Sequence, residues 1–244
     1  MDIICSGSNN DGAGMDEAKL RARRGNLLRR AAAGAVGGAI RIFSRLITAV
    51  QAEWRGIAPL GNQRIYFANH ASHGDFILIW SVLPASRRRR TRPVAGADYW
   101  GGTGIKGFVG QDVFNAVLIE RTAEGRSTDP IATMSDALEQ GDSLILFPEG
   151  TRNLTDQVML PFKSGLYHLA TRQPDIDMVP VWIDNLNRVM PKGEIVPVPL
   201  MCKTIFGAPL RLMPDESKEE FLARAQGALL ALRPGQVSDN LETA

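Results

Sequence analysis

Short apolar runs alternate with longer amphipathic stretches from about residue 60 onward. Apolar runs bounded by polar or turn residues are typical of buried strands, and apolar positions that recur every three to four residues are typical of helices. The pattern predicts strands at 64–68, 94–97, 116–119, 143–147 and 178–183, with a further pair at 202–206 and 210–212. It predicts helices at 76–83, 130–140, 163–171 and 216–232. This alternation indicates an α/β fold, a mostly parallel sheet flanked by helices.

The chain before this region has a different pattern. Residues 1–15 contain mainly small and polar side chains and are predicted to be a disordered tail. Residues 16–55 are predicted to be an amphipathic helical segment, and residues 56–244 the α/β domain. The longest early apolar run, residues 31–40, ends at Arg41 and is shorter than the stretch of about 20 residues that a membrane-spanning helix needs.

The second half of this helical segment has two distinct faces. Arg41 and Arg45 lie four residues apart on one face, and the predicted apolar side carries Ile40, Phe43, Ile47 and Val50. This pattern is typical of a helix that lies on a membrane surface or packs on its own domain.

Composition places the chain among ordinary globular proteins. The 244 residues are 44% apolar and 22% charged, with a net charge of +2. Basic side chains nevertheless concentrate at residues 21–30 and 87–92, and such patches suit phosphates on anionic lipids or nucleic acid. Cys5 and Cys202 are too few for a disulfide framework, which favours a reducing compartment.

Polar side chains follow four of the predicted strands. They are Asn69-His70, Glu120-Arg121, Glu149 with Arg152, and Asp184-Asn185. Ligands of open α/β sheets bind outside the carboxyl ends of the strands, so the sequence predicts one crevice at this edge of the sheet.

His70 and Asp75 have a spacing that a regular helix cannot bring together, because five residues place them about 140° apart on its surface. A turn through Gly74 between a strand and a helix would allow the contact. A carboxylate that orients an imidazole is the usual arrangement of a general base. The alternative is an incidental histidine followed by a helix-capping aspartate.

Two other kinds of active site, a zinc site and a serine hydrolase site, are alternatives for this segment. His70, His73 and Asp75, with His168 elsewhere in the chain, supply barely enough ligands for a catalytic zinc site, so no metal is expected. A serine hydrolase is also disfavoured, because the chain has no Gly-x-Ser-x-Gly elbow and Ser72 lies in the loop of the base itself.

The segment Phe147-Pro148-Glu149-Gly150-Thr151-Arg152 has the composition of an anion site. Gly150 allows the backbone to approach a ligand closely, and the Arg152 guanidinium matches phosphate oxygens. Arg121 offers a second guanidinium from a neighbouring strand end.

These two motifs, in this order and spacing, resemble the glycerolipid acyltransferase family, whose best-known members are 1-acylglycerol-3-phosphate acyltransferases. The resemblance covers about residues 55–215. Residues 117–121 resemble the family's second block, which ends in a phosphate-binding arginine, and residues 179–182 resemble the fourth. Lys163 stands in a Phe-Lys-x-Gly sequence that the family usually carries.

The resemblance implies acyl transfer from coenzyme A or acyl carrier protein to the free hydroxyl of a lysophospholipid, most simply lysophosphatidic acid to phosphatidic acid. His70 would be the base and Asp75 its partner, with Arg121, Glu149, Gly150, Thr151 and Arg152 as the acceptor site. No metal, cofactor or covalent acyl-enzyme is implied. Backbone amides near His70 or Gly150 are expected to stabilise the oxyanion.

One family feature is missing from the sequence. Relatives commonly carry an Ala-Lys pair between the first two blocks, where this chain has Ala95-Gly96. Lys106, Arg92 or a different acceptor, such as a lyso-ornithine lipid, would each account for the loss.

The basic patches and the amphipathic segment predict an enzyme bound at an anionic membrane surface, on its cytoplasmic face, as a peripheral or monotopic protein. A non-catalytic lipid- or nucleic-acid-binding module is the alternative from another class. That alternative leaves both paired motifs unexplained, so a nucleic-acid partner is not expected.

Overall fold

The computed structural model describes residues 11–72, 74–120, 128–184 and 201–235, with residues 11–21 described by their backbone alone. The strands are β1 Gln51–Trp54, β2 Arg64–Ala68, β3 Thr91–Gly96, β4 Val117–Ile119, β5 Ser143–Leu146, β6 Asp177–Asp184 and β7 Lys203–Phe206. The helices are α1 Asp11–Thr48, α2 Asp75–Val82, α3 Ala85–Arg88, α4 Ala97–Trp100, α5 Ile105–Gly107, α6 Pro130–Glu139, α7 Gly165–Arg172 and α8 Lys218–Leu230. A π-helical turn, Phe108–Val113, follows α5.

The described strands form one seven-stranded sheet in the order β1-β7-β6-β2-β5-β3-β4. All neighbouring strands are parallel except β6 and β7, so the expected mostly parallel sheet is confirmed. The central strands β2 and β5 are buried along their whole length, which explains why they read as nearly continuous apolar runs.

The two faces of the sheet have separate cores. Ile65 and Phe67 of β2 point to the face covered by α6, α7 and α8. Tyr66 and Ala68 point to the opposite face, which packs against α2, the C-terminal part of α1 and the π-helical turn. The chain therefore folds as three layers, with helices on both sides of the sheet.

Helix α1 packs against the domain along one side. Gly37 makes this approach possible, because a Cβ at that position would lie 3.2 Å from a Val113 methyl carbon and 3.7 Å from the Trp80 ring. Arg29 adds an ion pair with Asp112, with 2.7 Å between the closest atoms.

The predicted apolar side is confirmed for three of its four residues. Ile40, Ile47 and Val50 pack in the core, whereas Phe43 is exposed. Within the described residues, the stretch Ala22–Thr48 is also long and apolar enough to cross a membrane by length and composition alone. The apolar run at residues 31–40, which ends at Arg41, did not predict an apolar stretch of this length.

Two boundaries of the N-terminal region also differ from the prediction. Helix α1 begins at Asp11, inside the predicted tail, and residues 1–10 lie outside the described part. The helix ends at Thr48, and β1 then pairs with β7. The helical segment predicted to reach residue 55 therefore contains the edge strand of the sheet.

The predicted strand at 210–212 is wrong. Within the described residues, Leu210 makes a single antiparallel bridge to Met178. Pro209 precedes it and cannot donate a backbone hydrogen bond, which weakens any ladder at this place.

Candidate active site

His70 and Asp75 are brought together by the turn between β2 and α2. Strand β2 ends at Ala68, and α2 begins at Asp75 itself. His70 Nδ1 lies 2.8 Å from Asp75 Oδ2. An ionised carboxylate only accepts hydrogen bonds, so beside it a neutral imidazole carries its hydrogen on Nδ1 and has its lone pair on Nε2.

The Asp75 carboxylate also binds the backbone of its own loop. Oδ2 accepts the N–H groups of Ala71 at 2.7 Å and Ser72 at 2.9 Å. The N-cap of α2 is Gly74, and Asp75 Oδ1 makes no hydrogen bond within the described residues, so the alternative of a helix-capping aspartate is wrong. The carboxylate is 1% exposed, which leaves it dedicated to the loop and the imidazole.

Phe147 holds the other side of the imidazole. Its ring stacks on His70 with 4.1 Å between centroids and 16° between planes. Phe147 follows β5, the strand next to β2, so sheet pairing brings the two rings into contact. Phe147 was not among the predicted site residues, although it begins the segment 147–152 that was predicted to be an anion site.

Glu149 connects the backbone at His70 to the backbone at Leu160. Its two carboxylate oxygens accept the backbone N–H of His70 at 2.8 Å and of Leu160 at 2.9 Å. The side chain is 2% exposed, and this burial raises the pKa of Glu149 although both N–H groups favour the charged form. These contacts position His70, while the predicted contact of Glu149 with substrate stays a prediction.

Gly150, Thr151 and Arg152 form an exposed turn beside His70. Gly150 has φ +71°, a conformation that favours glycine, and its N–H donates to Phe147 O at 3.0 Å. The expected oxyanion donors at His70, Ala71, Ser72 and Gly150 are all used in internal hydrogen bonds. Within the described part of the chain, the N–H groups of Thr151 and Arg152 make no such bond.

Two cavities meet at His70 and Phe147. The first, of about 280 Å³, has a largely aromatic wall that includes Phe76, Trp100 and Phe114, and Thr151 with Arg152 at one side. The second, of about 500 Å³, is lined by apolar side chains including Ile119, Ile131, Met134 and Leu166, with Gly150 and Lys163 at one side. His70 thus borders both cavities, of which the second is the more apolar.

Asp184 lies in a separate polar cavity with Asn69 and Glu149. The Asn69 side chain joins the ends of β2 and β6, because it donates to Ile183 O at 3.0 Å and accepts from Ile183 N at 2.8 Å. The predicted crevice is therefore divided between several cavities, all of which His70 borders.

Three residues of the sequence analysis, Arg121, His73 and Asn185, lie outside the described residues. The predicted phosphate contact of Arg121 and the alternative metal ligand His73 therefore stay predictions. Glu120, at the end of β4, lines the second cavity.

The two suggested replacements for the missing lysine are placed elsewhere. Arg92 donates to Asn115 O at 2.6 Å and lies 3.3 Å from Asp142. The Lys106 ammonium sits over the Tyr99 ring, 4.5 Å from its centroid. Neither side chain lines the two apolar cavities at His70.

The described part of the chain is an α/β sheet with a histidine–aspartate pair at a strand end that borders two cavities. The acyltransferase family model matches residues 50–184, and this match covers more than half of the chain. The chain belongs to the acyltransferase family.

Comparison with individual proteins agrees with this membership. The chain is similar to 1-acyl-sn-glycerol-3-phosphate acyltransferase of Limnanthes alba, with 29% identity over 196 residues, 75% of this chain and 61% of that protein. It is similar to the human 1-acyl-sn-glycerol-3-phosphate acyltransferase alpha, with 33% identity over 129 residues, 50% of this chain and 41% of that protein. The chain thus spans less than two thirds of the length of these relatives.

A solved structure shares the fold. The crystal structure of 1-acyl-sn-glycerophosphate acyltransferase from Thermotoga maritima superposes with a TM-score of 0.62 at 22% identity, over 84% of this chain and 81% of that chain.

Proposed function

We propose that this protein transfers a fatty acyl group from an acyl thioester to the free hydroxyl of a lysophospholipid, converting lysophosphatidic acid to phosphatidic acid. The observation that carries the proposal is the His70–Asp75 contact of 2.8 Å at the meeting point of two cavities with aromatic and aliphatic walls. Each cavity has room for one acyl chain. The thioester of the donor and the hydroxyl of the acceptor then both lie beside the His70 imidazole.

His70 acts as the general base. Its Nε2 takes the proton of the acceptor hydroxyl as the oxygen attacks the thioester carbonyl, and the imidazolium is stabilised by Asp75. The tetrahedral intermediate then collapses, the carbon–sulfur bond breaks, and the leaving thiolate takes the proton from Nε2. The products are the ester and the free thiol, with the base restored.

The Gly150 turn supports the charge that develops on the carbonyl oxygen. The N–H groups of Thr151 and Arg152 are successive donors without internal acceptors in the described part, and both residues border the first cavity beside His70. Successive amides in such a turn form an anion-binding concavity. Arg152 binds the phosphate of the acceptor at this same turn, and Arg121, which lies outside the described residues, is the second guanidinium assigned to that phosphate.

The donor is a substrate and no resident cofactor takes part. Coenzyme A and acyl carrier protein both present the acyl group as a thioester, so the same base serves either.

The outer face of α1 supports membrane association. Leu28, Ile42 and Leu46 are exposed and fall within about 40° of one another on the helix surface. Arg41 and Arg45 lie close enough to Arg88 and Arg89 to help lower the pKa of Arg88, after the larger effect of burial. This apolar stripe beside clustered cations suits a helix set into an anionic leaflet, at its cytoplasmic face.

The test is transfer of labelled acyl groups from coenzyme A and from acyl carrier protein to lysophosphatidic acid, lysophosphatidylcholine and a lyso-ornithine lipid. We expect phosphatidic acid as the main product. Transfer to the lyso-ornithine lipid alone would reassign the acceptor, and release of free fatty acid without transfer would overturn the proposal.

A further inference from the structure

Among the described residues that line the second cavity with His70, Lys163 is the one lysine. The Lys163 backbone N–H donates to Pro148 O at 2.8 Å, which fixes the lysine against the loop that carries Gly150 and Arg152. Lys163 therefore lies against the active-site loop, although ten residues of chain separate it from Arg152.

The aliphatic part of Lys163 occupies the space that a side chain at position 150 would need. A Cβ built on Gly150 would lie 2.7 Å from Lys163 Cδ, 2.8 Å from Cε and 3.0 Å from Nζ. A side chain at position 150 is therefore disfavoured both by the φ of +71° and by contact with the Lys163 side chain. The ammonium is held directly above the turn.

The second cavity beside this turn is lined by charged side chains of both signs, Lys163 and the carboxylates of Asp129 and Glu120. Within the described residues, neither the Lys163 ammonium nor the Arg152 guanidinium makes a hydrogen bond or an ion pair. Asp129, which also lines the cavity, accepts the Ile131 N–H as the N-cap of α6 and lies 3.9 Å from Arg172. Glu120 lines the cavity at the end of β4. Within the described residues, Lys163 beside the second cavity and Arg152 beside the first are therefore cations without an ion-pair partner, on the two sides of the loop that contains Gly150.

We propose that Lys163 binds the acceptor phosphate together with Arg152, across the Gly150 turn, and that this contact selects anionic acceptors over neutral ones. The inference rests on the proposed function. A phosphate at this place takes hydrogen bonds from an ammonium on one side and a guanidinium on the other. The acceptor chain then follows the apolar wall of the second cavity, and its hydroxyl faces His70.

The first experiment measures binding, so that its outcome does not depend on turnover. Lysophosphatidic acid and a monoacylglycerol with the same chain are titrated into the full-length wild-type protein and into Lys163→Gln, Lys163→Arg and the remote control Lys218→Gln. We expect Lys163→Gln to weaken lysophosphatidic acid binding by about tenfold or more, as for a lost charged hydrogen bond. Monoacylglycerol binding should change less than about twofold, and Lys163→Arg should recover part of the loss.

Three other outcomes of the binding experiment overturn the inference, and a fourth overturns the proposed function alone. Equal losses for both lipids would indicate a general packing role, and no loss would remove Lys163 from the site. A wild-type protein that binds both lipids equally would have no phosphate selection to explain. Lysophosphatidic acid that binds in this selective way but is not acylated would overturn the proposed function and leave the phosphate site intact.

Kinetics and a double substitution test the geometry. Lys163→Gln should raise the KM for lysophosphatidic acid while kcat and the KM for the donor stay unchanged. Gly150→Ala should cause a similar loss, because its methyl group displaces the lysine. The double variant should then lose little more than either single variant. Losses that multiply, or a raised donor KM, would contradict the arrangement.

Discussion

Asp75 holds His70 through an oxygen atom that it shares with the backbone of the intervening loop. Oδ2 lies 2.8 Å from His70 Nδ1 and also accepts the N–H groups of Ala71 and Ser72. One atom therefore fixes both the tautomer of the imidazole and the path of the loop that presents it. This sharing explains why a spacing of five residues, unsuited to a helix face, works at a strand-to-helix turn.

Asp75→Asn should reduce kcat by about 10²- to 10⁴-fold, the range expected when a general base loses its orientation and its charge partner. The amide still offers an oxygen to the loop, so the backbone should keep its course. Steady-state acyl transfer measures the effect, and circular dichroism and the unfolding midpoint report on the fold. A variant that retains wild-type kcat would remove Asp75 from the mechanism.

Glu149 should affect stability in a pH-dependent manner. Burial raises its pKa above the ordinary value of 4.5, so the protonated form is favoured by the folded state. The free energy of unfolding of the wild type, relative to Glu149→Gln, should be largest below about pH 4.5 and decrease as the pH rises through the raised pKa. Urea unfolding of both proteins across this range measures the difference.

Glu53 supplies a control, because its contribution to the free energy of unfolding should depend on pH in the opposite direction. A hydrogen bond from the Arg55 side chain lowers the pKa of Glu53, so its favourable contribution is present above the ordinary pKa and is lost as the pH falls through the lowered one. Glu53→Gln should therefore show a difference that grows with pH. The same trend for both substitutions would contradict the assignment of Glu149.

Gly110→Ala should shorten the longest acyl chain that the enzyme accepts. Gly110 lies in the π-helical turn, and a Cβ there would be 2.9 Å from Trp100 Cε3, so the Trp100 ring must move. Trp100 lines the first cavity, where a displaced ring takes up space. Relative rates over a series of donor and acceptor chain lengths measure the shift. An unchanged profile for both substrates would show that neither chain enters this cavity.

The apolar stripe on α1 should carry much of the membrane affinity. Ile42→Ser with Leu46→Ser should weaken binding to anionic phospholipid vesicles by about tenfold or more, because each buried aliphatic side chain contributes about 1.5–3 kcal/mol. Leu60→Ser is a matched control, since Leu60 is 65% exposed and lies in the loop between β1 and β2. Vesicle flotation measures the bound fraction, and equal binding by all three proteins would exclude α1 as the contact surface.

The local parts of the fold could be predicted from the sequence. Strand β2 was placed with both ends correct, and β5 and β6 within one residue at each end, because buried parallel strands are nearly continuous apolar runs. Strand β1 was missed. Its four residues, Gln51–Trp54, mix polar and apolar side chains at the edge of the sheet and directly follow a long helix.

In the candidate site too, some contacts could be predicted from the sequence and others could not. The His70–Asp75 contact could be predicted because the strand, Gly74 and the helix that create it are consecutive in the chain. The stacking of Phe147 on His70 depends on the pairing of β2 with β5, and the Lys163 contact with Gly150 depends on a loop that returns to the same place. Such contacts are set by the tertiary fold, and no local pattern encodes them.

The central claim is that His70 is the base of an acyl transfer reaction, and its most direct test is the rate of labelled acyl transfer to lysophosphatidic acid by His70→Ala. The variant should fold like the wild type, bind lysophosphatidic acid, and transfer acyl groups at least about 10²-fold more slowly, as expected when a general base is removed. Undiminished transfer by the folded variant would contradict the account.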